Sequence, residues 1–423
     1  MKLRHQAGLL VALLAVAPVQ AATVAITGAT VHTASDAGSI EDATVLIHDG
    51  RIVAVGRDVD IPTDATRVDA RGKFLTPGLI DPNSYIGLVE VSLEPVSADN
   101  AVANDRFGAS LDAADAINPR SVLIPVNRIE GVTRAIVAPA STIGGVISGR
   151  SAAINLGDVE QPVDRRHVAV HAVFGEAGAV ESGNSRLAAL ARLREALAEA
   201  QDYGQNRQAW ERAGRRNYRL SHYDLEALQP VLRGEMPLVV AAHRASDIRA
   251  LVELATELEL KLIVAGGAEA WMVAGQLAAA GVPVILDPLD NLPSRFESLG
   301  ATLENAARLH AAGVRFAFSV AVTASRSHNA RNLSQGAGVA VANGLPWEAG
   351  LAALTASTAE IFGLEGIGQL QPGFEADVVI WDGDPLELTS YPDAVYIKGQ
   401  AMPMVSRHTL LRDRYMERLK LGR

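Results

Sequence analysis

Residues 76–87, Thr-Pro-Gly-Leu-Ile-Asp-Pro-Asn-Ser-Tyr-Ile-Gly, constrain this chain more than any other stretch. The apolar pair Leu79-Ile80 runs into Asp81 and a Pro82-Asn83-Ser84 turn, the pattern of a buried strand that presents polar side chains at its C-terminal end. Pro77-Gly78 just before it marks a turn that sets this strand apart from the residues on its N-terminal side.

In that N-terminal part, from Ala22 to Lys73, short alternating segments are broken by turn residues: Val24 to Thr27, Thr44 to His48 and Arg51 to Gly56, with Asp49-Gly50 as a hairpin signal. The same texture returns in residues 376–387 and 394–400. Strand-rich ends around a different middle predict one sheet domain assembled from both termini. The middle alternates strand and helix. Strands are predicted to begin at Pro237, Lys261, Pro283 and Arg315, each followed by a helical pattern, with Ser246 placed to cap the first of these helices. Consecutive βα units on a parallel sheet are the reading of this pattern, and residues 76–363 make a span of barrel size. Arg134 to Pro139 and His167 to Phe174 read as strands, and Ser185 to Arg212 as a long helical insert. A doubly wound sheet is the alternative architecture; the terminal sheet domain favours the barrel.

The Pro77 to Asp81 pattern resembles the first barrel strand of the amidohydrolase superfamily, where Pro-Gly-Leu-Ile-Asp is followed by one residue and then His-x-His. Residues 368–380 resemble that family's re-entry into its sheet domain, with Phe374-Glu375 where Lys is common in the first place. Residues 353–364 leading into 382–387 extend the likeness, and the chain looks like an exported amidohydrolase of the imidazolonepropionase-related group. The resemblance implies an α/β fold, a (β/α)8 TIM-like barrel with a β-sandwich domain built from both chain ends. The expected division is a signal peptide at 1–21, sandwich strands at 22–75, the barrel at 76–363, returning sandwich strands at 364–408 and a C-terminal helix or tail at 409–423. The implied lineage reaction is hydrolysis of a non-peptide carbon–nitrogen bond, in an amide or cyclic amide, by metal-activated water. The implied ligands are two His on strand 1, a carbamylated Lys or Glu on strand 4, one His each on strands 5 and 6, and an Asp on strand 8.

Most of that set is substituted. The His-x-His slot holds Asn83-Ser84-Tyr85; His243 matches on strand 5; Gly266-Gly267 stands where a His is expected on strand 6, and Ala321 where the strand 8 Asp is expected. The five lysines, at 2, 73, 261, 398 and 420, fall at no central strand end. One ligand does not hold zinc, which needs at least three from the protein. No metal ligand is therefore assigned and no cofactor is expected; a divalent metal such as zinc enters only through a relocated site. The polar strand-end residues that remain are His243, Asp287 and His328 as candidate catalytic groups and Asn83, Tyr85, Arg244 and Glu269 as candidate substrate-binding groups, with Asp290 nearby. A structural role competes at each: His243 as a hydrogen-bonding relic, Asp287 and Asp290 as loop-end caps. The matching alternative for the whole chain is a catalytically silent barrel that binds a small ligand or pairs with an active relative. His167 and His171, four apart on a strand, would stand about 13 Å from each other, too far to share a metal.

Composition narrows the partners. Lys2 and Arg4, the apolar run Leu9 to Val16 and Val19-Gln20-Ala21 predict a secretory leader cleaved before Ala22 and a periplasmic or secreted protein; the apolar run is too short for a membrane span. Cysteine is absent, which excludes disulfides, thiol nucleophiles and Cys-ligated zinc. The formal charge of −10 argues against nucleic acid and anionic membrane. A small-molecule substrate or ligand is expected, together with a homo- or hetero-oligomer that includes a related amidohydrolase.

Overall fold

The computed structural model describes residues 23–104, 106–212, 218–320 and 327–421. The expected leader and Ala321 lie outside the described residues. In chain order the strands are β1 (Thr23–His32), β2 (Ser39–His48), β3 (Arg51–Gly56), β4 (Thr66–Asp69), β5 (Phe74–Pro77), β6 (Leu79–Ser84), β7 (Val132–Val137), β8 (Ile147–Arg150), β9 (Ala152–Asn155), β10 (Val163–Arg165), β11 (Val170–Val173), β12 (Leu238–Ala242), β13 (Leu262–Gly266), β14 (Val284–Leu286), β15 (Phe316–Phe318), β16 (Val378–Trp381), β17 (Pro392–Ile397) and β18 (Gln400–Ala401).

Strands from both chain ends share one eight-stranded sheet, in the order β18-β17-β16-β5-β1-β2-β3 with β4 paired to β1. The seam between the two ends is the antiparallel pair β5–β16, in which Val379 stands opposite Thr76. Asp49 and Gly50 both take positive φ, the left-handed pair that lets a two-residue turn return β2 into β3 with the strands' own twist. This sheet has its own apolar cluster, including Ile26, Val45, Ile47, Leu75 and Val378. Its strands are hydrogen-bonded as one branched sheet, and β3 returns to residues 373–376 just ahead of β16 through Ile52 N to Phe374 O and Ala376 N to Gly50 O.

Two further sheets make up the middle. One has the order β10-β9-β7-β6, and the other β15-β14-β13-β12-β11-β8. Within them β6 and β7 run parallel, and β11 through β15 run parallel. Between these blocks lie β8 and β9, joined only by Ser151. β9 is antiparallel to β7 and β8 antiparallel to β11, so one kinked strand carries the chain from one sheet to the other. The Ser151 amide donates to Ala169 O and its carbonyl accepts from Val168 N. On the far side, β15 meets β6 through the Ser319 hydroxyl, which donates to Asp81 Oδ1 at 2.9 Å; among the described residues no backbone ladder closes that seam. The architecture is thus a TIM-barrel-like α/β fold with a reversed third position and an open seam, where the sequence predicted a closed (β/α)8 ring. The reversal was not readable because Ala152 to Asn155 is a short apolar run with no directional signal.

The βα units after β11 match the predicted pattern, with one exchange of partner. Ser246 does not cap the helix Ala245–Glu257; Arg244 holds the N-cap position with no side-chain bond. The first amide of that helix, Ala245 N, is instead bound by the Glu269 carboxylate at 2.9 Å. The long insert is the helix Arg186–Glu211, capped by the Ser185 hydroxyl and kinked at Asn206, whose amide bonds the Asp202 carbonyl and carboxylate. The sheet domain is pinned to the barrel by Trp381, whose indole N–H donates to Thr76 Oγ1 at 2.9 Å and whose ring fits over Gly131, where a β-carbon would stand 3.0 Å from it. Beside it Arg134 of β7 spans Asp164, Glu375 and Asp377.

Candidate active site

The C-terminal ends of β6, β12, β13, β14 and β15 surround a cavity of about 90 Å³ lined by Asn83, His243, Gly266, Asp287, Asp290 and Arg295, with Ser319 on its wall. Parallel strands place such residues together because each strand end delivers its next side chains to the same face of the sheet.

His243 is held by its backbone as well as its ring. Its carbonyl accepts from Glu269 N at 2.9 Å, and the preceding Ala242 carbonyl accepts from Gly267 N at 2.8 Å. The ring lies directly against Gly266: a β-carbon there would stand 2.6 Å from the imidazole Cε1. Gly266 also has φ +96, a conformation that side-chain-bearing residues rarely adopt. The position that resembles a strand 6 ligand is therefore occupied by the neighbouring imidazole.

Asp290 Oδ2 lies 3.9 Å from His243 Nδ1 and 3.9 Å from an Arg295 guanidinium nitrogen. These distances are charge proximity, not hydrogen bonds. Burial pushes the Asp290 carboxyl above the ordinary aspartate range, and Arg295 pulls it part of the way back. Asn83 is 7% exposed, and its backbone amide donates to Asp81 Oδ1 at 3.1 Å. Asp287 takes the capping role that competed with catalysis in the sequence: its Oδ1 accepts from Leu289 N at 2.9 Å, although the residue also lines the cavity.

Four of the seven sequence-predicted residues do not line this cavity. The two carboxylate oxygens of Glu269 accept from Ala245 N and Gly300 N, so it joins two loops away from this cavity. Arg244 is exposed at the start of its helix. Tyr85 packs against the main apolar core. His328 lies against His408 of the C-terminal helix Arg407–Leu421, with ring centroids 5.5 Å apart. Burial and the neighbouring Arg331 push its imidazole below the ordinary histidine range. Sequence reasoning missed Arg295 and Ser319. Ser319 lies at the end of the strand predicted from Arg315 and was available to a count of strand-end hydroxyls; Arg295 sits in an unpatterned loop and carried no signal.

The metal set implied by the resemblance does not fit these residues. His243 is the cavity's imidazole, and among the described residues no three His, Asp or Glu side chains converge as a metal-binding group. Zinc needs three protein ligands.

An amidohydrolase-family model matches residues 207–406, a span that contains β12 to β17 and the His243 cavity walls they carry. Residues 207–406 are an amidohydrolase-family domain. Amidohydrolase tasK of Hapsidospora irregularis is 26% identical over 393 residues, covering 84% of this chain and 39% of that protein. The imidazolonepropionase of Geobacillus kaustophilus is 46% identical over 59 residues, 12% of this chain and 14% of that protein. The chain thus spans well under half the length of these curated relatives. Among solved structures, an amidohydrolase from Thermotoga maritima superposes with a TM-score of 0.81 at 27% identity, covering 91% of this chain and all of that one. The amidohydrolase fold therefore extends over nearly the whole described chain, including the sheet built from its two ends.

Proposed function

We propose that this amidohydrolase hydrolyses a carbon–nitrogen bond in a small amide or cyclic amide, with His243 as general base and the usual metal set largely lost. The observation that supports this reading is the row of His243, Asp290 and Arg295 at the strand ends, a base, a carboxylate and a cation within about one side chain's reach of each other. In the proposed step His243 takes a proton from water as the water oxygen bonds to the carbonyl carbon. Arg295 and the Asn83 amide favour the negative charge that develops on the carbonyl oxygen. The imidazolium then returns its proton to the departing nitrogen as the carbon–nitrogen bond breaks, giving a carboxylic acid and an amine, or one ring-opened product. Asp290 favours the imidazolium by its charge.

A second reading rests on the cavity's size. At about 90 Å³ it is much smaller than an ordinary small-molecule site of about 300 Å³ or more. That suits a silent barrel that binds one small polar ligand. The leader-like residues Lys2, Arg4 and Leu9 to Val16 support export as part of either reading.

The deciding assay incubates chelator-treated protein with hydantoin, dihydrouracil and N-acetylated amino acids. Turnover that survives chelation and disappears in His243→Asn supports the hydrolase reading. Turnover that chelation abolishes and zinc restores overturns the metal-poor site. Binding of the same compounds with no turnover in any sample favours the silent barrel.

A further inference from the structure

A second cavity, of about 650 Å³, lies between the helix Leu123–Arg128 and the C-terminal helix Arg407–Leu421. Arg128 stands four residues ahead of the start of β7, and β7 runs in the same sense as β11–β15 because β8 and β9 are antiparallel to both. This cavity therefore sits at the opposite end of the strands from His243.

Four guanidinium groups line it: Arg120, Arg128, Arg407 and Arg414. Among the described residues none of them has a carboxylate within ion-pairing distance, in contrast to Arg134, Arg166 and Arg186. Arg128 is the unusual member. It is 4% exposed; one terminal nitrogen donates to Leu156 O at 3.0 Å, and its Nε is buried with no hydrogen-bond partner. Burial drags its guanidinium below the ordinary arginine range, and the charge of Asp158 pulls it part of the way back. Asp158, exposed on the rim, supplies the lining's one carboxylate and offsets one charge of the four. In a chain with formal charge −10 this is a local reversal of sign. Apart from Ser121, the remaining lining, Ile124, Leu410 and Leu411 among it, is apolar.

We infer that this cavity binds an organic anion, with a carboxylate or phosphate head seated among the four arginines and an apolar body against Ile124, Leu410 and Leu411. A volume of this order is that of an ordinary small-molecule site, and guanidinium groups match planar and tetrahedral oxyanions through paired N–H donors. A buried cation is costly, and Asp158 meets only one of the four charges, so the ligand supplies the counter-charge for the others.

The test is titration of the full chain with phenylacetate, phenyl phosphate, phenylacetamide and inorganic phosphate, read by calorimetry and by the shift in thermal midpoint. Both phenyl anions are expected to bind and raise the midpoint, the neutral amide is not, and the preferred head group shows whether the natural ligand is a carboxylate or a phosphate. Arg407→Gln with Arg414→Gln changes exposed residues and should leave the unliganded midpoint in place while weakening anion binding by about tenfold or more. Arg128→Met removes the buried cation; its unliganded midpoint should stay level or rise, and its anion-induced shift should vanish. No binding of either anion to wild type overturns the inference, as does anion binding that is unchanged in both variants.

Discussion

The imidazole of His243 occupies the space that a side chain at Gly266 would need, with a built β-carbon 2.6 Å from Cε1. Two consecutive parallel strands thus share one side chain's worth of room at their ends. Gly266→Ala adds the clash to a positive φ that costs an L-residue roughly 1–2 kcal/mol by itself. The expected outcome is a loss of about 2 kcal/mol or more in denaturant unfolding and loss of any His243-dependent turnover. A Gly266→Ala protein with wild-type stability and wild-type turnover would show that the ring is free to move elsewhere.

Asp290 gives a pH signature. Its carboxyl is held above the ordinary range by burial, so the folded state binds its proton more tightly than the unfolded chain does. Its contribution to stability is therefore greatest below the unfolded value and declines as pH rises through the folded one. Asp290→Asn should stabilise the protein at neutral pH and lose that advantage below about pH 4. Thermal midpoints of both proteins from about pH 3 to about pH 8 check this. A constant difference across that range contradicts it. The same variant should lower turnover if the carboxylate favours the His243 imidazolium.

Arg134 is 7% exposed at its side chain, and its charge is met by Asp377, Glu375 and Asp164 at 2.5, 2.5 and 2.8 Å. Arg134→Met leaves the Asp377 carboxylate, 5% exposed, beside an apolar stem and should cost about 3–5 kcal/mol. Adding Asp377→Leu should recover part of that loss, because it removes the stranded charge. Denaturant unfolding of the single and double variants measures it. If the single variant costs less than about 1 kcal/mol, the network is a surface feature in energetic terms.

Glu269 separates a structural carboxylate from a substrate ligand. Its oxygens bind Ala245 N and Gly300 N, charge-assisted bonds that hold the loop after β12 to the loop ahead of the helix Asn305–Ala311. Glu269→Gln should cost about 1.5–3 kcal/mol and leave KM for any substrate within a few fold. A large KM change at unchanged stability would assign it to binding after all.

The strands of the fold were legible because apolar runs bounded by turn residues carry their own signal: Leu238, Leu262, Val284 and Phe316 all begin strands within a residue of where the sequence put them. The site was legible at His243 and Asn83, which sit at strand ends. It was not legible at Glu269, because a carboxylate that caps a helix 24 residues away reads in sequence like one that faces a cavity. His328 was misplaced for a similar reason. Its partner is His408, 80 positions on, and no local pattern announces a helix from the chain end folding back onto it.

The seam between β5 and β16 has a consequence for how the protein is made. Thr76 leaves the ribosome about three hundred residues before Val379, its ladder partner. At about 5–20 residues per second that is a wait of roughly 15–60 seconds. Through that interval the nascent N-terminal strands present an unpaired edge that is open to other nascent chains. The first segment synthesised is then among the last to be completed, and the yield of the protein depends on whatever shelters β5 until the end of translation.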